Sequence, residues 1–247
     1  MVEEREIINA IRGHYHMWFI PMIIGLYMCI PIIHKIIESK DIAKYFMFLS
    51  FIVTFMLPQI VRMSNDFGGE FLKVIISAFN VDYSNMNLFL VQGYTFYFML
   101  GYFLNQIEFN KKCRYIIYIL GVFGVVVTIL LDSFMSLKLQ TPFGYYYGYF
   151  CINVLFESIA IFVWFRYNLA QCKKLINSIF YKLSKYSFGA YLVHILVMDK
   201  LNEYIGLNSL SFHPLISVPI IAIIVFIISF FISMCINHIP VLNRYIV

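Results

Sequence analysis

The chain has 247 residues; 62% are hydrophobic, only 13% are charged, and the mean hydropathy is +0.81. Soluble domains run at about 45–50% apolar and about 25% charged, so an ordinary soluble enzyme and a disordered chain are excluded. The net charge of +5 does not point to nucleic acid either, because the Lys and Arg residues are scattered between apolar runs.

What remains is an all-α fold, a polytopic transmembrane helix bundle forming a single membrane domain over 1–247. A spanning helix needs about 20 mostly apolar residues. In chain order, uncharged stretches predict spans at 16–33, 45–61, within 87–107, and at 115–131. A fifth, 149–165, is interrupted by Glu157. The sixth has thirteen uncharged residues between Lys185 and Asp199, and its helix continues toward Tyr204 with Lys200 snorkelling. The seventh covers 215–236. About seven spans result, an odd number that puts the termini on opposite sides.

The connections differ in character. Segment 62–86 carries an apolar patch around Phe71, Val74 and Phe79, suited to the membrane interface. Segment 132–149 carries Tyr145, Tyr146, Tyr147 and Tyr149. Those rings suit either an aromatic belt or stacking on sugars, the belt being the simpler reading. Segment 173–185 places Leu175, Ile179 and Leu183 on one helical face with lysines around them, the pattern of an in-plane amphipathic helix. The five cysteines show no metal spacing and read as buried apolar side chains.

Basic residues set the orientation. Twelve Lys and Arg, among them Lys35, Lys40, Lys44, Lys111, Arg114, Lys174 and Arg244, fall on the side of the C-terminus, against six on the other. The C-terminus is therefore expected in the cytoplasm and the N-terminus outside, in a plasma (inner) membrane. An outside start without a signal peptide suggests a missing upstream part.

Ionisable groups at membrane depth mark functional-site candidates. Glu157 lies about eight residues from either end of its span. His194 lies about 13 Å beyond Lys185 at 1.5 Å per residue, so a Glu157–His194 contact is geometrically possible. The plain alternative for Glu157 is a structural interhelical hydrogen bond worth about 1 kcal/mol. His16, with His14, stands beside Trp18; histidine is a general-base candidate, and an interfacial aromatic belt is the competing reading. His194 and Asp199 are five apart, which on an unbroken helix points them about 140° from each other and makes a dyad unworkable. No nucleotide-binding, nucleophile-elbow or zinc motif is present.

Two segments carry a resemblance. The first runs Tyr15-His16-Met17-Trp18-Phe19-Ile20-Pro21-Met22-Ile23-Ile24-Gly25-Leu26-Tyr27, with Pro31 after it. The second runs Leu183-Ser184-Lys185-Tyr186-Ser187-Phe188-Gly189-Ala190-Tyr191-Leu192-Val193-His194. In order and spacing they resemble two helices of the acyltransferase-3 family of integral-membrane O-acyltransferases, in its surface-polysaccharide O-acetyltransferase-like branch. The resemblance covers essentially the whole chain.

That resemblance implies a bacterial membrane enzyme with no bound cofactor or metal. It would move an acyl group, acetyl by preference, from acyl-CoA (acetyl-CoA) to a hydroxyl of a glycan or lipid-linked saccharide. It implies His16 and His194 as catalytic residues, with Glu157 added on membrane depth alone. Trp18, Tyr191 and Ser187 then line the substrate site. The family core has ten helices, and its principal catalytic His and Arg lie in the first three. The present seven match the last seven, so autonomous activity is in question and a separately encoded N-terminal part is an expected partner beside membrane lipids. The competing readings are an inactive remnant or interaction subunit of polysaccharide assembly, and a transporter or flippase.

Overall fold

The computed structural model describes residues 15–169 and 174–239. The readings at His14, Cys172, Lys173 and Arg244 lie outside them. The described residues form eight α-helices. A 3-10 turn, Tyr15–Trp18, leads into α1, Phe19–Glu38. Then come α2 (Lys40–Phe67), α3 (Glu70–Asn85), α4 (Tyr94–Gln106), α5 (Lys111–Leu139), α6 (Ile152–Asn168), α7 (Lys174–Ile205) and α8 (Pro214–Asn237). Among the described residues there is no strand. The chain falls into two compact units, one holding residues up to Ile20 with α7 and α8, the other running from Pro21 to Gln171.

In the second unit, Ser39 separates α1 from α2 and caps the latter, its hydroxyl accepting from the Ile42 N–H. A π turn at Ile52–Met56 interrupts α2. Its cause is Pro58, which has no N–H to return to the Thr54 carbonyl, while the Leu57 N–H reaches back five residues to Ile52. The Val53 carbonyl in this turn accepts instead from the Tyr83 hydroxyl at 2.7 Å. Ile33, Phe46, Val53, Val91 and Met99 form one core, and Phe55, Phe96 and Leu155 another.

Helices α5 and α6 pack through glycine. A Cβ at Gly121 would lie 2.3 Å from the Ala160 Cβ, and one at Gly124 would lie 2.4 Å from the Asn153 carbonyl oxygen. Small residues at such a contact let two membrane helices approach closely. The first unit uses the same device: a Cβ at Gly189 of α7 would meet the Ser233 hydroxyl of α8. That hydroxyl donates to the Tyr186 carbonyl at 2.9 Å. The buried face of α8 repeats every fourth residue, Ser217, Ile221, Val225, Ser229, Ser233 and Asn237.

The expected spans need adjustment. Among the described residues, four helical stretches are long and apolar enough to cross a bilayer: His16–Glu38, Lys40–Phe67, Lys111–Leu139 and Pro214–Asn237. The other three expected spans are helical but differ. α4 has 13 residues and α6 has 17, short of the usual span, and α7 carries charges at Lys182, Lys185, Asp199 and Lys200. Segment 174–185 is the first part of α7, with no turn between it and the helix that holds His194. The 32 residues of α7 span about 48 Å, longer than a hydrocarbon core of about 30 Å. The apolar patch expected on segment 62–86 is a helix, α3, whose Phe71, Val74, Ile75 and Phe79 are exposed. Of the cysteines, Cys151 is buried and Cys29 half-buried, whereas Cys113 and Cys235 are exposed, because they lie on outward faces near helix ends.

Candidate functional site

The first unit brings His16, Tyr191 and His194 together. Tyr191 and His194 are one turn apart on the same face of α7. His16 comes from the 3-10 turn, which the Tyr191 hydroxyl tethers by donating to the His16 carbonyl. The two imidazoles meet edge to face with ring centroids 4.9 Å apart and planes at 82°. Tyr191 flanks both, at 5.5 Å from His16 and 5.7 Å from His194. Phe19 packs on Tyr191 at 5.6 Å, and Trp18, 44% exposed, packs on Phe19 at 6.3 Å.

The backbone selects a tautomer of His194. Its Nδ1 lies 2.5 Å from the Tyr191 carbonyl oxygen. A carbonyl only accepts, so in the neutral imidazole Nδ1 carries the proton and Nε2 has the lone pair. This is the form a general base requires.

A cavity of about 470 Å³ adjoins the cluster, between α7 and α8. Ser187, Ala190, Tyr191, His194 and Met198 line it from one face of α7, and Val218, Ile221, Ala222, Val225, Phe226 and Ser229 from one face of α8. Thus Ser187, Tyr191 and His194, three of the expected site residues, border the same space. Ser187 is exposed and donates to the Ser184 carbonyl at 2.8 Å. Asp199 is exposed on the same unbroken helix, so its spacing from His194 makes no dyad.

Glu157 belongs to the second unit and is half-buried on α6. Its carboxylate accepts from the Thr128 hydroxyl at 2.8 Å. The Asn153 amide donates to that hydroxyl at 2.6 Å and to the Tyr146 carbonyl at 2.7 Å. The Tyr146 hydroxyl donates to Asp66 Oδ2 at 2.9 Å, and Arg62 Nε donates to the same oxygen at 2.9 Å. The Arg62 guanidinium lies 4.9 Å from the Phe143 ring and 4.8 Å from the Tyr145 ring. Tyr146 therefore joins two polar groups, its carbonyl bonding the Asn153–Thr128–Glu157 set and its hydroxyl the Asp66–Arg62 pair. Burial first, and the Asp66 carboxylate second, push the Tyr146 phenol above its ordinary value against the pull of Arg62. Burial likewise raises the Tyr145 phenol.

Sequence reasoning missed Thr128, Asn153 and Asp66. Asn153 stands one turn before Glu157, so a search for polar side chains on the Glu157 face would have found it; Thr128 and Asp66 come from other helices and leave no local signal. The tyrosine-rich segment borders a cavity of about 610 Å³ together with Thr54, Tyr83 and Gln92. Among the described residues, no three His, Cys, Asp or Glu side chains gather as a metal site.

The family model of an acyltransferase domain, acyltransferase-3, matches residues 7–238. No curated protein and no solved structure matches significantly.

Proposed function

We propose that this chain, which belongs to the acyltransferase-3 family, moves an acyl group from an acyl-CoA donor to a hydroxyl of a cell-surface polysaccharide or its lipid-linked precursor. Family membership and the apolar helices make it a membrane acyltransferase in general terms. The donor, the acceptor and the residue roles are our reading. One observation carries it: His194, with Nε2 available as a base, shares a cavity wall with Tyr191 and touches the ring of His16.

In this reading the acceptor hydroxyl gives its proton to His194 Nε2 as its oxygen attacks the thioester carbonyl. The new C–O bond forms, the C–S bond breaks, and the departing thiolate takes the proton from the imidazolium. His16 is the second imidazole of the centre, held in place through its own carbonyl by Tyr191. Glu157 serves the fold through Thr128 and Asn153, which favours a supporting role over direct chemistry. The donor is a substrate, and the scheme uses no resident cofactor.

The test is glycan acylation in cells lacking the endogenous enzyme, read by mass spectrometry of the purified glycan. Acyl groups should return when the chain is expressed. Their continued absence, with the protein present in the membrane, would overturn the reading.

A further inference from the structure

Two segments outside the helices, 86–93 and 140–151, supply most of the wall of the 610 Å³ cavity, and α2 and Tyr83 of α3 complete it. Irregular backbone does not face lipid within the hydrocarbon region, because its N–H and C=O groups would go unpaired there. The cavity therefore opens to water or to the headgroup zone, beyond the lipid tails. None of the described residues on its wall carries a charge. Arg62 lies against the Tyr145 ring but is not part of the wall, and it is paired with Asp66.

Tyr83 fixes the orientation of the Gln92 amide. Its one hydroxyl proton goes to the Val53 carbonyl at 2.7 Å, so its oxygen must accept, and Gln92 Nε2 donates to it at 2.8 Å. That leaves Gln92 Oε1 as an acceptor with no partner among the described residues, and this oxygen is not sealed off in the interior. Thr54, by contrast, is spent: its hydroxyl accepts from the Gly93 N–H at 3.1 Å and donates to the Val91 carbonyl at 3.4 Å. The tyrosine segment is held by its own backbone. The Tyr149 carbonyl accepts from the Tyr97 hydroxyl at 2.6 Å, the Tyr146 carbonyl from the Asn153 amide at 2.7 Å, and the Tyr145 carbonyl from the Gly148 N–H at 2.9 Å. Tyr149 is nonetheless 58% exposed and Tyr145 37%.

We infer that this cavity binds a neutral sugar ring. A pyranose carries C–H bonds on its faces and hydroxyls around its edge. The faces suit the Tyr145 and Tyr149 rings, and an edge hydroxyl donates to Gln92 Oε1. The volume falls in the range of small-molecule sites, about 300–1,000 Å³. A lipid tail would leave the Gln92 acceptor unpaired, and a phosphate, of a headgroup or of CoA, would find no cation on the wall. A plain aromatic belt would use Tyr147, which is exposed and off the wall, as much as Tyr149. The claim concerns binding and goes beyond the acyl-transfer reading; joined to that reading, the sugar held here belongs to the acceptor glycan.

Saturation-transfer NMR on the purified full chain in lipid nanodiscs tests this, with cellobiose, lactose and diacetylchitobiose as neutral probes. At least one should bind with a Kd of about 10 mM or tighter. Tyr149→Ala and Gln92→Leu should each weaken that binding about fivefold or more. Gly144→Phe, whose Cβ would meet nothing within 4 Å, should block the cavity and leave the fold intact. Tyr147→Ala, on the same segment, should leave binding unchanged. Binding by none of the three probes would overturn the inference, as would binding that survives all three wall variants. Equal weakening by Tyr147→Ala would overturn it in favour of the belt. Sugar binding without glycan acylation would count against the transfer reading alone, and acylation without sugar binding against this inference alone.

Discussion

His16 and His194, from opposite ends of the chain, meet edge to face with ring centroids 4.9 Å apart. Tyr191 makes the meeting possible, because its hydroxyl ties the turn that carries His16 to the helix that carries His194. Replacing Tyr191 by Phe keeps the ring and removes the tether. We expect kcat to fall about fivefold, from one lost hydrogen bond of about 1 kcal/mol, with the KM of the donor nearly unchanged. Steady-state kinetics on membranes checks this; an equal loss in KM would mean that the hydroxyl acts in binding.

We expect the Thr128–Asn153–Glu157 cluster to act in stability rather than in the chemistry. Asn153→Leu removes the amide that bridges the Thr128 hydroxyl and the Tyr146 carbonyl. The expected cost is about 1 kcal/mol, the scale of interhelical hydrogen bonds in membranes. It should appear as a lower midpoint in thermal unfolding of the purified protein. Activity per folded molecule should change far less than it does for His194→Ala.

The contact of α5 with α6 depends on the absence of side chains at Gly121 and Gly124. Gly121→Leu forces its Cβ toward the Ala160 methyl, at a distance of 2.3 Å before relaxation. Overpacking of this kind costs about 1–3 kcal/mol. Gly25→Leu, whose Cβ would meet nothing within 4 Å, should cost little. Comparative unfolding of the two variants separates packing from composition.

Helix positions were largely legible in the sequence, since apolar length between charges locates them. His16 and His194 were marked as site residues only by two motifs, and their meeting was not expected, because nothing local links the two positions. The union of 174–185 with the helix beyond was missed: the lysines at 182 and 185 look like a boundary, yet long basic side chains sit on a continuing helix without breaking it. The two polar groups that Tyr146 joins were invisible for another reason. They are assembled from α2, α5, α6 and the segment between α5 and α6, and helical periodicity says nothing of contacts across helices.

Alkaline pH should expose the state of Tyr146. Its phenol is raised above the ordinary value in the folded protein, so the folded state holds the proton more tightly than the unfolded state does. The corresponding stability is fully present below about pH 10, the unfolded tyrosine value, and is lost as pH rises through the higher folded value. The unfolding midpoint should fall above about pH 10 in the wild type. In Tyr146→Phe the fall should be shallower, although the variant starts less stable for want of the bond to Asp66.

The most direct measurement is transfer of a labelled acyl group from acyl-CoA to glycan by membranes containing the chain, compared with His194→Ala membranes at equal protein abundance. The account predicts transfer above that of membranes lacking the chain, and a loss of about 10²–10⁴-fold on removal of the imidazole. Equal transfer by the wild type and the His194→Ala variant would contradict it.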